Sequence, residues 1–263
     1  MNKQFNLEDM KGIFVDVILP NYNKEKFVEE AIKSVVDQTY KNWKLYIIDD
    51  YSEDGSCKVI DKFSNYKNIT IYKLYKNKGP SFCRNYCMRK SKSKYISFID
   101  SDDIWFASKL EKQISFMEKD NLSFTYTDYT PFFEKNGKKK IKLGTFLKNN
   151  FSFNSFINNS SINTSTMIFE RSILGYSKFK KVKLLEDYLF KCVFLKIKNI
   201  EKKINENLAY YRILSKSRSS KRFENIYWLW HINKKYNKLG FFRNMVSIFL
   251  ISLNSIIKYG GIK

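Results

Sequence analysis

Apolar runs of strand length alternate with segments of helical periodicity along the first half of the chain, and this alternation restricts the fold to a few classes. Residues 13–19 predict a strand, and residues 25–38 predict a helix because their apolar side chains recur on one face. The alternation continues with strands at 45–48, 69–74 and 95–99 and with helices around Val59 and from 77–80 to about Lys90. Such a pattern predicts an α/β fold with a largely parallel sheet and right-handed crossovers.

The second half of the chain follows a less regular pattern. It predicts a helix from Lys109, a strand at 122–126, a hairpin turning at Asn136-Gly137, a strand at 166–169 and a helix opened by residues 184–187. The Asn- and Ser-rich residues 149–164 predict a loop or short helix near a substrate opening. Because no linker or internal repeat is evident before about residue 223, we assign one domain to residues 1–222 and a separate tail to residues 223–263.

Four polar segments follow the predicted parallel strands, at residues 20–23, 49–50, 77–84 and 100–103. In open sheets of this kind, ligands bind beyond the carboxyl ends of the strands. The segments therefore predict a nucleotide site. Neither the glycine-rich dinucleotide pattern nor the Walker pattern is present, which disfavours a dinucleotide-binding fold and a Walker-type ATPase.

The last of these segments places three carboxylates within four residues, those of Asp100, Asp102 and Asp103. Carboxylates this close repel one another in a partly dehydrated site unless a counter-charge is present. A hard divalent cation with oxygen ligands, which also holds a phosphorylated substrate, would relieve the repulsion. The alternative is an acidic turn that caps the next helix, since Asp is a good N-cap residue.

The charge balance narrows the classes of partner. Lys and Arg number 48 against 26 Asp and Glu, a net charge of +22 that should attract nucleotides, anionic lipids or nucleic acid. The single histidine, His231, is distant from the acidic run, which argues against histidine-ligated zinc and Ser-His-Asp chemistry. Residues 1–12 have no apolar signal-peptide core, so a cytoplasmic location is expected.

The tail is basic and aromatic. Residues 214–263 contain ten Lys and Arg and one acidic residue, Glu224. The apolar run at 245–257 is shorter than the roughly 20 residues that span a bilayer. Two interpretations are open: an amphipathic helix lying on an anionic membrane surface, or an ordinary helix that packs on the core.

Several segments, in order, resemble glycosyltransferase family 2, which has a GT-A fold. They are VILPNYN (17–23), AIKSVVDQTY (31–40), IIDDYSEDGS (47–56), Asn77 with Gly79, Arg84 with Asn85, FIDSDD (98–103), LED (185–187) and YYRILSKSRS (210–219). The last pattern is similar to that of bacterial enzymes that build teichuronic acid, capsule or O-antigen chains. The resemblance covers roughly residues 13–222. It implies an α/β GT-A (Rossmann-like) fold, a mostly parallel central sheet flanked by helices, followed here by a basic C-terminal helical extension.

The resemblance implies a site for a UDP-sugar donor. Pro20 and Tyr22 would lie against the uracil ring, and Asp50 would accept the uracil imide N–H. Arg84 would contact the base or the diphosphate. The alternatives are a Tyr22 that only packs on its loop and an Arg84 that is a solvated helix arginine. The nucleotide-sugar-binding residues implied are Pro20, Tyr22, Asp50, Asn77, Gly79, Arg84, Asp100, Asp103, Arg212 and Ser217.

The acidic run has separate implied roles. Asp100 would hold the ribose, and Asp102 would bind Mn²⁺ or Mg²⁺ bridging the diphosphate oxygens. Asp103 could reach the donor sugar or the metal. Many members of the family complete the metal shell with a histidine near the position of Leu214, and this chain has none there. The third protein ligand therefore stays open.

Asp187 matches the catalytic base of the family, although a helix N-cap role is the alternative. Arg212 with Ser217 and its neighbours would donate to the diphosphate, as part of a flexible lid. The expected function is inverting, metal-dependent transfer from a UDP-sugar to a saccharide acceptor, lipid-linked at the inner face of the cytoplasmic membrane. A sugar nucleotidyltransferase and a basic nucleic-acid-binding protein are the alternatives. Against the latter, no nucleic-acid-binding motif is present, and we expect no nucleic-acid partner.

Overall fold

The computed structural model describes residue 10 and residues 12–135, 138–141, 151–175, 178–197, 201–214 and 222–259. Its strands are β1 (Val15–Asn21), β2 (Trp43–Asp49), β3 (Ile69–Lys73), β4 (Tyr95–Phe98), β5 (Ile104–Trp105), β6 (Phe124–Lys135), β7 (Lys138–Ile141), β8 (Ile168–Glu170) and β9 (Glu201–Arg212). Its helices are α1 (Val28–Val36), α2 (Ser56–Asp61), α3 (Pro80–Lys90), α4 (Lys109–Asp120), α5 (Phe153–Phe156), α6 (Glu186–Phe194), α7 (Arg222–Lys235) and α8 (Phe241–Tyr259).

The strands form a single mixed sheet in the described part of the chain, in the order β3-β2-β1-β4-β8-β6-β9-β5, with β7 paired to β6. The first four strands are parallel to one another. From β8 onward the pairings are mixed, since β8 is antiparallel to both β4 and β6 while β9 is parallel to β6. The predicted α/β fold and its parallel half are confirmed.

Helices cover both faces of the parallel half, which explains why its strands are almost continuously apolar. On β1, Val17 and Leu19 face a core cluster shared with α1 and α4. Ile18 points the other way, into a second cluster that contains residues of α3 and α6. The period-2 alternation of a strand thus divides β1 between two buried layers.

The carboxyl end of β1 is where the sheet opens. The pairing of β1 with β4 ends at Ile18 and Phe98, whereas the pairing with β2 continues to Asn21. Pro20 lies beyond the last residue of β1 that pairs with β4. The N–H that proline lacks is therefore not needed for a hydrogen bond to β4. The chain after β4 is free to leave the sheet there, and it enters the acidic run.

Two strands, β5 and β9, were not predicted from the sequence. β9 lies beside β6 and β5 at the far edge of the sheet. The predicted hairpin is confirmed by the antiparallel β6–β7 pair, which is in register at Lys135 and Lys138. The turn itself, Asn136-Gly137, lies outside the described residues.

The last two helices share the core of the rest of the chain. Leu229, Ile232 and Leu239 belong to the same buried cluster as Phe190 of α6. The opposite side of α8 is exposed and apolar, and we call it the outer face of α8: Phe242, Met245, Phe249, Leu253, Ile256 and Ile257.

The outer face of α8 follows the spacing of one helical stripe. Within the described residues, α8 alone is long and apolar enough, by length and composition, to cross a bilayer, and only 11% of the stretch Phe241–Lys258 is buried. α8 has 19 residues and is longer than the apolar run at 245–257. We had expected this segment to be too short to span a bilayer from the length of that run alone, and this expectation was wrong.

Candidate active site

The carboxyl end of β2 carries Asp49 and Asp50, and both carboxylates are buried among hydrogen-bond donors. Asp49 accepts from Asn21 Nδ2 at 2.7 Å, which ties the end of β1 to the end of β2. Asp50 accepts the backbone N–H groups of Lys78 and Gly79, both at 2.7 Å. Asp50 therefore fixes the position of the loop that precedes α3.

This loop depends on Gly79, whose φ of 83° and ψ of 160° define a conformation that is essentially restricted to glycine. Asn77 Nδ2 donates to the carbonyl oxygen of Asp50 at 3.1 Å. Three predicted nucleotide residues thus form one hydrogen-bonded unit. Both carboxylate oxygens of Asp50 already accept a backbone N–H, and its contact with a uracil N–H stays a prediction.

Arg84 of α3 connects two acidic segments that are distant in sequence. Its Nη2 donates to Asp100 Oδ1 at 2.6 Å, and its Nη1 lies 3.7 Å from Glu186 Oε1. The guanidinium carbon lies 5.2 Å from the ring centre of Phe179. With a side chain 6% exposed, Arg84 is not the solvated helix arginine of the alternative interpretation.

Neighbouring carboxylates keep Arg84 positively charged. Burial would lower the pKa of the guanidinium, but the carboxylates of Asp100, Glu186 and Asp187 raise it and prevail. Two of its buried nitrogens, Nε and Nη1, have no hydrogen-bond acceptor among the described residues. Unpaired buried donors are rare, so these atoms indicate where an anionic ligand would contribute oxygen atoms.

Asp102 faces Lys24, which the sequence analysis did not single out. Lys24 Nζ donates to Asp102 Oδ2 at 2.7 Å. Burial raises the pKa of Asp102, and the carboxylate of Asp100 raises it further, while Lys24 opposes both effects. The Asp102 carboxyl group therefore ionises less readily than an exposed one, and a further cation beside it would favour the ionised form.

A divalent cation fits the donor chemistry of Asp102. The carboxylate has oxygen ligands of the kind that Mg²⁺ and Mn²⁺ prefer, and Mg²⁺ is commonly held by one or two carboxylates together with substrate phosphates. Among the described residues, no three His, Cys, Asp or Glu side chains converge as a preformed metal site. Lys24 has a side chain 25% exposed, so it has room to move from Asp102 when a cation binds.

Asp103 points into the core of the site instead of toward the opening. It is 1% exposed, and its two oxygens accept from the Ser165 hydroxyl and from the backbone N–H of Arg212. Burial and the charges of Asp102 and Asp100 raise its pKa well above the usual range. Because both oxygens are engaged and enclosed, this placement does not favour the predicted contact with a donor sugar or a metal, which stays a prediction.

Arg212 also departs from its predicted role as a diphosphate ligand in a flexible lid. It ends β9 with a side chain 1% exposed, ion-paired to Glu30 and Glu134. Its Nε donates to the carbonyl oxygen of Asp102 at 2.9 Å. The rings of Phe27 and Phe132 flank the guanidinium and help to hold it in place. Their centres lie 4.6 and 4.5 Å, respectively, from its central carbon. We therefore leave Arg212 out of the proposed donor site.

The remaining predicted donor residues are placed as follows. Pro20 lies on β1 beside Ile48 of β2. Tyr22 is 43% exposed on the loop after β1, so its ring is accessible to a base. Ser217 lies outside the described residues, as do the neighbouring positions of the predicted lid.

Asp187 occupies the first turn of α6, with its carboxylate between two donors. Its Oδ2 accepts from Lys191 Nζ at 2.7 Å and from the Thr164 hydroxyl at 3.3 Å. Burial would raise the pKa of Asp187, but Lys191, and to a lesser extent Arg84, hold it below its usual value. The side chain is 35% exposed, so an ionised carboxylate is open to an incoming hydroxyl group.

The residue before this turn adopts an unusual backbone conformation. Leu185 has φ 63° and ψ 29°, the left-handed region that non-glycine residues rarely adopt. Such a conformation costs about 1–3 kcal/mol and persists where the surrounding structure imposes it. It determines how α6 starts, and therefore where Glu186 and Asp187 lie.

The segment before β8 joins the acidic run to α6. Ser165 accepts the backbone N–H of Asp100 and donates to Asp103, and its carbonyl oxygen accepts from Trp105 Nε1 at 2.7 Å. Thr164, its neighbour, reaches Asp187. The composition of residues 149–164 predicted a loop near a substrate opening. Isolated Ser, Thr and Lys residues form no pattern of their own, so Ser165, Thr164, Lys24 and Lys191 were not predicted as site residues.

The comparison with protein families is consistent with this geometry. Residues 16–181 match the model of Glycosyl transferase family 2, a stretch that contains all but the first residue of β1, the whole of α3 and the whole acidic run. The match ends before α6, so the position of Asp187 rests on the structure.

Two bacterial relatives match most of the chain. The UDP-Glc:alpha-D-GlcNAc-diphosphoundecaprenol beta-1,3-glucosyltransferase WfgD of Escherichia coli is 34% identical over 226 residues, which are 85% of this chain and 86% of that protein. The putative teichuronic acid biosynthesis glycosyltransferase TuaG of Bacillus subtilis is 27% identical over 230 residues, 87% of this chain and 90% of that protein.

Among solved structures, S. aureus TarS 1-349 in complex with UDP-GlcNAc has a TM-score of 0.68 at 19% identity, covering 95% of this chain and 73% of that one. This likeness shows that the fold is GT-A, as the resemblance implied. The family match spans more than half of the chain, and WfgD is similar along most of it. The chain is a glycosyltransferase and belongs to glycosyltransferase family 2.

Proposed function

We propose that the chain transfers a sugar, with inversion, from a UDP-sugar to a saccharide carried on a lipid, in the synthesis of a bacterial cell-surface polysaccharide. The observation that carries this proposal is the connection through Arg84, whose guanidinium bonds Asp100 of the acidic run and lies beside Glu186 at the start of α6. A donor-binding segment and a candidate base are thereby held on either side of one buried cation.

The donor class rests on the loops at the sheet opening and on the relatives. WfgD is named for UDP-Glc, and TarS is described in complex with UDP-GlcNAc. In this chain Tyr22 would stack on the uracil, Asp50 would accept its imide N–H, and Asp100 would hold the ribose. Nε and Nη1 of Arg84, which have no hydrogen-bond acceptor among the described residues, would donate to diphosphate oxygens.

Asp102 would hold Mn²⁺ or Mg²⁺ when the donor is bound, and that ion would supply positive charge to the departing nucleoside diphosphate. Lys24, which now pairs with Asp102, would then be released. Its ammonium group would be free to bind a phosphate oxygen. Two cationic donors of the chain, Lys24 and Arg84, would thus bind the diphosphate.

Asp187 would act as the base. The acceptor hydroxyl oxygen forms a bond to the anomeric carbon while the bond from that carbon to the phosphate oxygen breaks, and the electron pair leaves with UDP. The proton of the hydroxyl group passes to the Asp187 carboxylate. Because the attack comes from the face opposite to the leaving group, one displacement inverts the anomeric configuration.

We place the protein peripherally at the inner face of the cytoplasmic membrane. The outer face of α8 exposes Phe242 and Phe249 to solvent, at 81% and 66%. An apolar stripe of this size beside a strongly basic chain fits an interface with anionic lipid head groups. The acceptor named for WfgD, a diphosphoundecaprenol, belongs to such a surface.

Thermal unfolding with nucleotides tests the donor assignment. UDP, GDP, CDP and dTDP are added separately, each with and without Mn²⁺, to the wild-type protein and to Asp102→Ala. A ligand at about one hundred times its dissociation constant stabilises a protein by about 2.7 kcal/mol, which raises Tm measurably. We expect a shift that is specific to UDP with Mn²⁺ and is lost in Asp102→Ala.

The matched control is Asp61→Ala, which removes the same charge from an exposed residue paired with Lys73. It should respond to UDP and Mn²⁺ as the wild-type protein does. Equal shifts with every nucleotide, insensitive to Mn²⁺ and to Asp102, would show only attraction to the net charge of +22 and would refute the proposed donor site.

A further inference from the structure

A cavity of about 460 Å³ lies between the start of α6 and the two C-terminal helices. Ligand sites in proteins are typically about 300–1,000 Å³, so the cavity is large enough for part of a substrate. Asp187, the candidate base, is part of its wall, whereas no residue of the acidic run lines it. The residues of its wall that matter here are Asp187, Lys191, Leu229, Ile251, Ile256 and Lys258.

Part of the wall of the cavity is apolar. Leu229 of α7 and Ile251 of α8 form its wall there, and Ile256 belongs both to the cavity and to the outer face of α8. The cavity is thus continuous with the surface that we place on the membrane. A hydrocarbon chain could enter it from the lipid without crossing water.

The wall of the cavity also carries a cation, Lys258, which forms no ion pair with a carboxylate among the described residues. Lys258 donates to the Ser161 hydroxyl. Burial lowers the pKa of Lys258 to about 8, against the opposing effect of Asp128. Asp128 is itself ion-paired to Lys203 at 3.0 Å. Lys258 stays mostly protonated at neutral pH, and a partly buried ammonium group that forms no ion pair in the described part of the chain is suited to an anionic ligand.

The groups that line the cavity together match one class of molecule, with a hydroxyl group at Asp187, an anion at Lys258 and a hydrocarbon chain along α7 and α8. We propose that the cavity is the acceptor site, and that it binds a saccharide joined through a diphosphate to a polyprenyl chain. Lys258 binds the diphosphate, and the walls from α7 and α8 hold the first isoprene units. This inference rests on the proposed function and gives the C-terminal helices a part in acceptor recognition besides their contact with the membrane.

Calorimetric titration with farnesyl diphosphate tests the cavity, and saturating UDP is present so that the donor site is filled. Farnesol and inorganic pyrophosphate are titrated in parallel. We expect farnesyl diphosphate to bind more tightly than either, since only it has both the chain and the anion. Equal affinity for pyrophosphate would mean anion binding alone, and equal affinity for farnesol would mean an unspecific apolar site; each would overturn the proposal.

Lys258→Met removes the charge and keeps the length of the side chain. It should weaken farnesyl diphosphate by about tenfold, as expected for one charge-assisted hydrogen bond, and leave farnesol unchanged. Lys234→Met, on an exposed residue of α7, is the matched control and should bind as the wild-type protein does. An equal loss in both variants would overturn the assignment of Lys258.

A second variant tests the cavity without touching its charge. Ser255 lines the cavity and is exposed, so Ser255→Trp should fold and fill the space with an indole ring. Farnesyl diphosphate binding should fall while UDP binding is retained, and unchanged binding would contradict the proposal.

The wild-type protein separates this inference from the proposed function. If it binds UDP but not farnesyl diphosphate, only the assignment of the cavity as the acceptor site is refuted, whereas failure to bind UDP would refute the proposed function.

Discussion

At the residue scale, each exposed carboxylate of the site is paired with a basic side chain that a substrate could replace or use. The pairs are Lys24 with Asp102, Arg84 with Asp100, and Lys191 with Asp187. Such pairing keeps a cluster of acidic groups stable before substrate binds. Each of these carboxylates is therefore paired with an identifiable cation, which mutation can remove.

Lys191→Met should move the acidic limb of the pH–rate profile to higher pH. As a base, Asp187 acts in its ionised form, so the rate falls as the pH drops through its pKa. Lys191 lowers that pKa, and without it burial raises the value, so the fall begins at higher pH. Hydrolysis of UDP-glucose, in which water replaces the acceptor, and carbon NMR titration of labelled aspartate both measure the change.

The control is Lys181→Met, which removes one positive charge from an exposed residue. Its profile should overlay that of the wild-type protein. Lys191 also donates to the carbonyl oxygen of Ile162 at 2.7 Å, so some loss of stability is expected, and Tm is recorded for each variant. A K191M profile that keeps the wild-type acidic limb would contradict the role of Asp187 as base.

Arg84→Met should destabilise the protein by about 3–5 kcal/mol, because removing one partner of a buried ion pair leaves uncompensated charge. The charge left behind is mainly that of Glu186, whose side chain is 6% exposed. Urea unfolding measures the loss. Lys112→Met, which breaks an exposed pair with Glu206, is the comparison and should have little effect. Equal losses in the two variants would show that Arg84 does not neutralise buried charge.

At the element scale, the loop before α3 depends on one backbone conformation. Gly79→Ala should destabilise the protein by about 1–3 kcal/mol, because the φ of 83° is strained for a residue with a Cβ atom. The N–H that Asp50 accepts would shift with it, so UDP affinity should fall as well. Gly240→Ala is the control, since a Cβ atom there meets nothing within 4 Å and the backbone is not in the positive-φ region. Chemical denaturation and UDP titration of both variants provide the comparison.

The sequence predicted the elements that obey a simple period and missed those that do not. The strands at Val15–Asn21 and Trp43–Asp49 are apolar runs buried on both faces, so alternation with helices was sufficient to place them. β9 was missed because its sequence, EKKINENLAYYR, is charged at the start and has no clear alternation. That omission had a consequence for the site: Arg212 was assigned to a lid, although the structure places it at the end of a strand, between Glu30 and Glu134.

The sequence likewise located only some of the residues of the candidate site. Carboxylates that follow strands can be located from sequence, because the ends of parallel strands meet at one edge of the sheet. Their counter-charges come from other elements: Lys24 follows β1 and Lys191 lies on α6. Those pairings depend on tertiary packing, which a single sequence does not encode in a short pattern.

At the scale of the whole molecule, the apolar and the reactive surfaces are connected through the C-terminal helices. α8 packs Asn244 and Ser247 inward, each at most 1% exposed, while its other side carries the outer face. The inner side of the same helix reaches the cavity beside Asp187. A membrane contact on one side of α8 would therefore place the candidate base next to an acceptor anchored in that membrane.

Sedimentation with vesicles tests this arrangement through Phe242→Ser. Phe242 is 81% exposed on the outer face of α8, and burial of a phenylalanine side chain contributes about 1.5–3 kcal/mol, so binding to vesicles that contain anionic lipid should fall by about tenfold to a hundredfold. Tyr75→Ser is the control, because Tyr75 is an aromatic residue 80% exposed on a distant loop. Its binding should equal that of the wild-type protein. Wild-type binding should weaken on neutral vesicles and at high salt, since the chain carries +22. If F242S and Y75S bind alike, α8 is not the membrane contact, and the outer face of α8 then has another role.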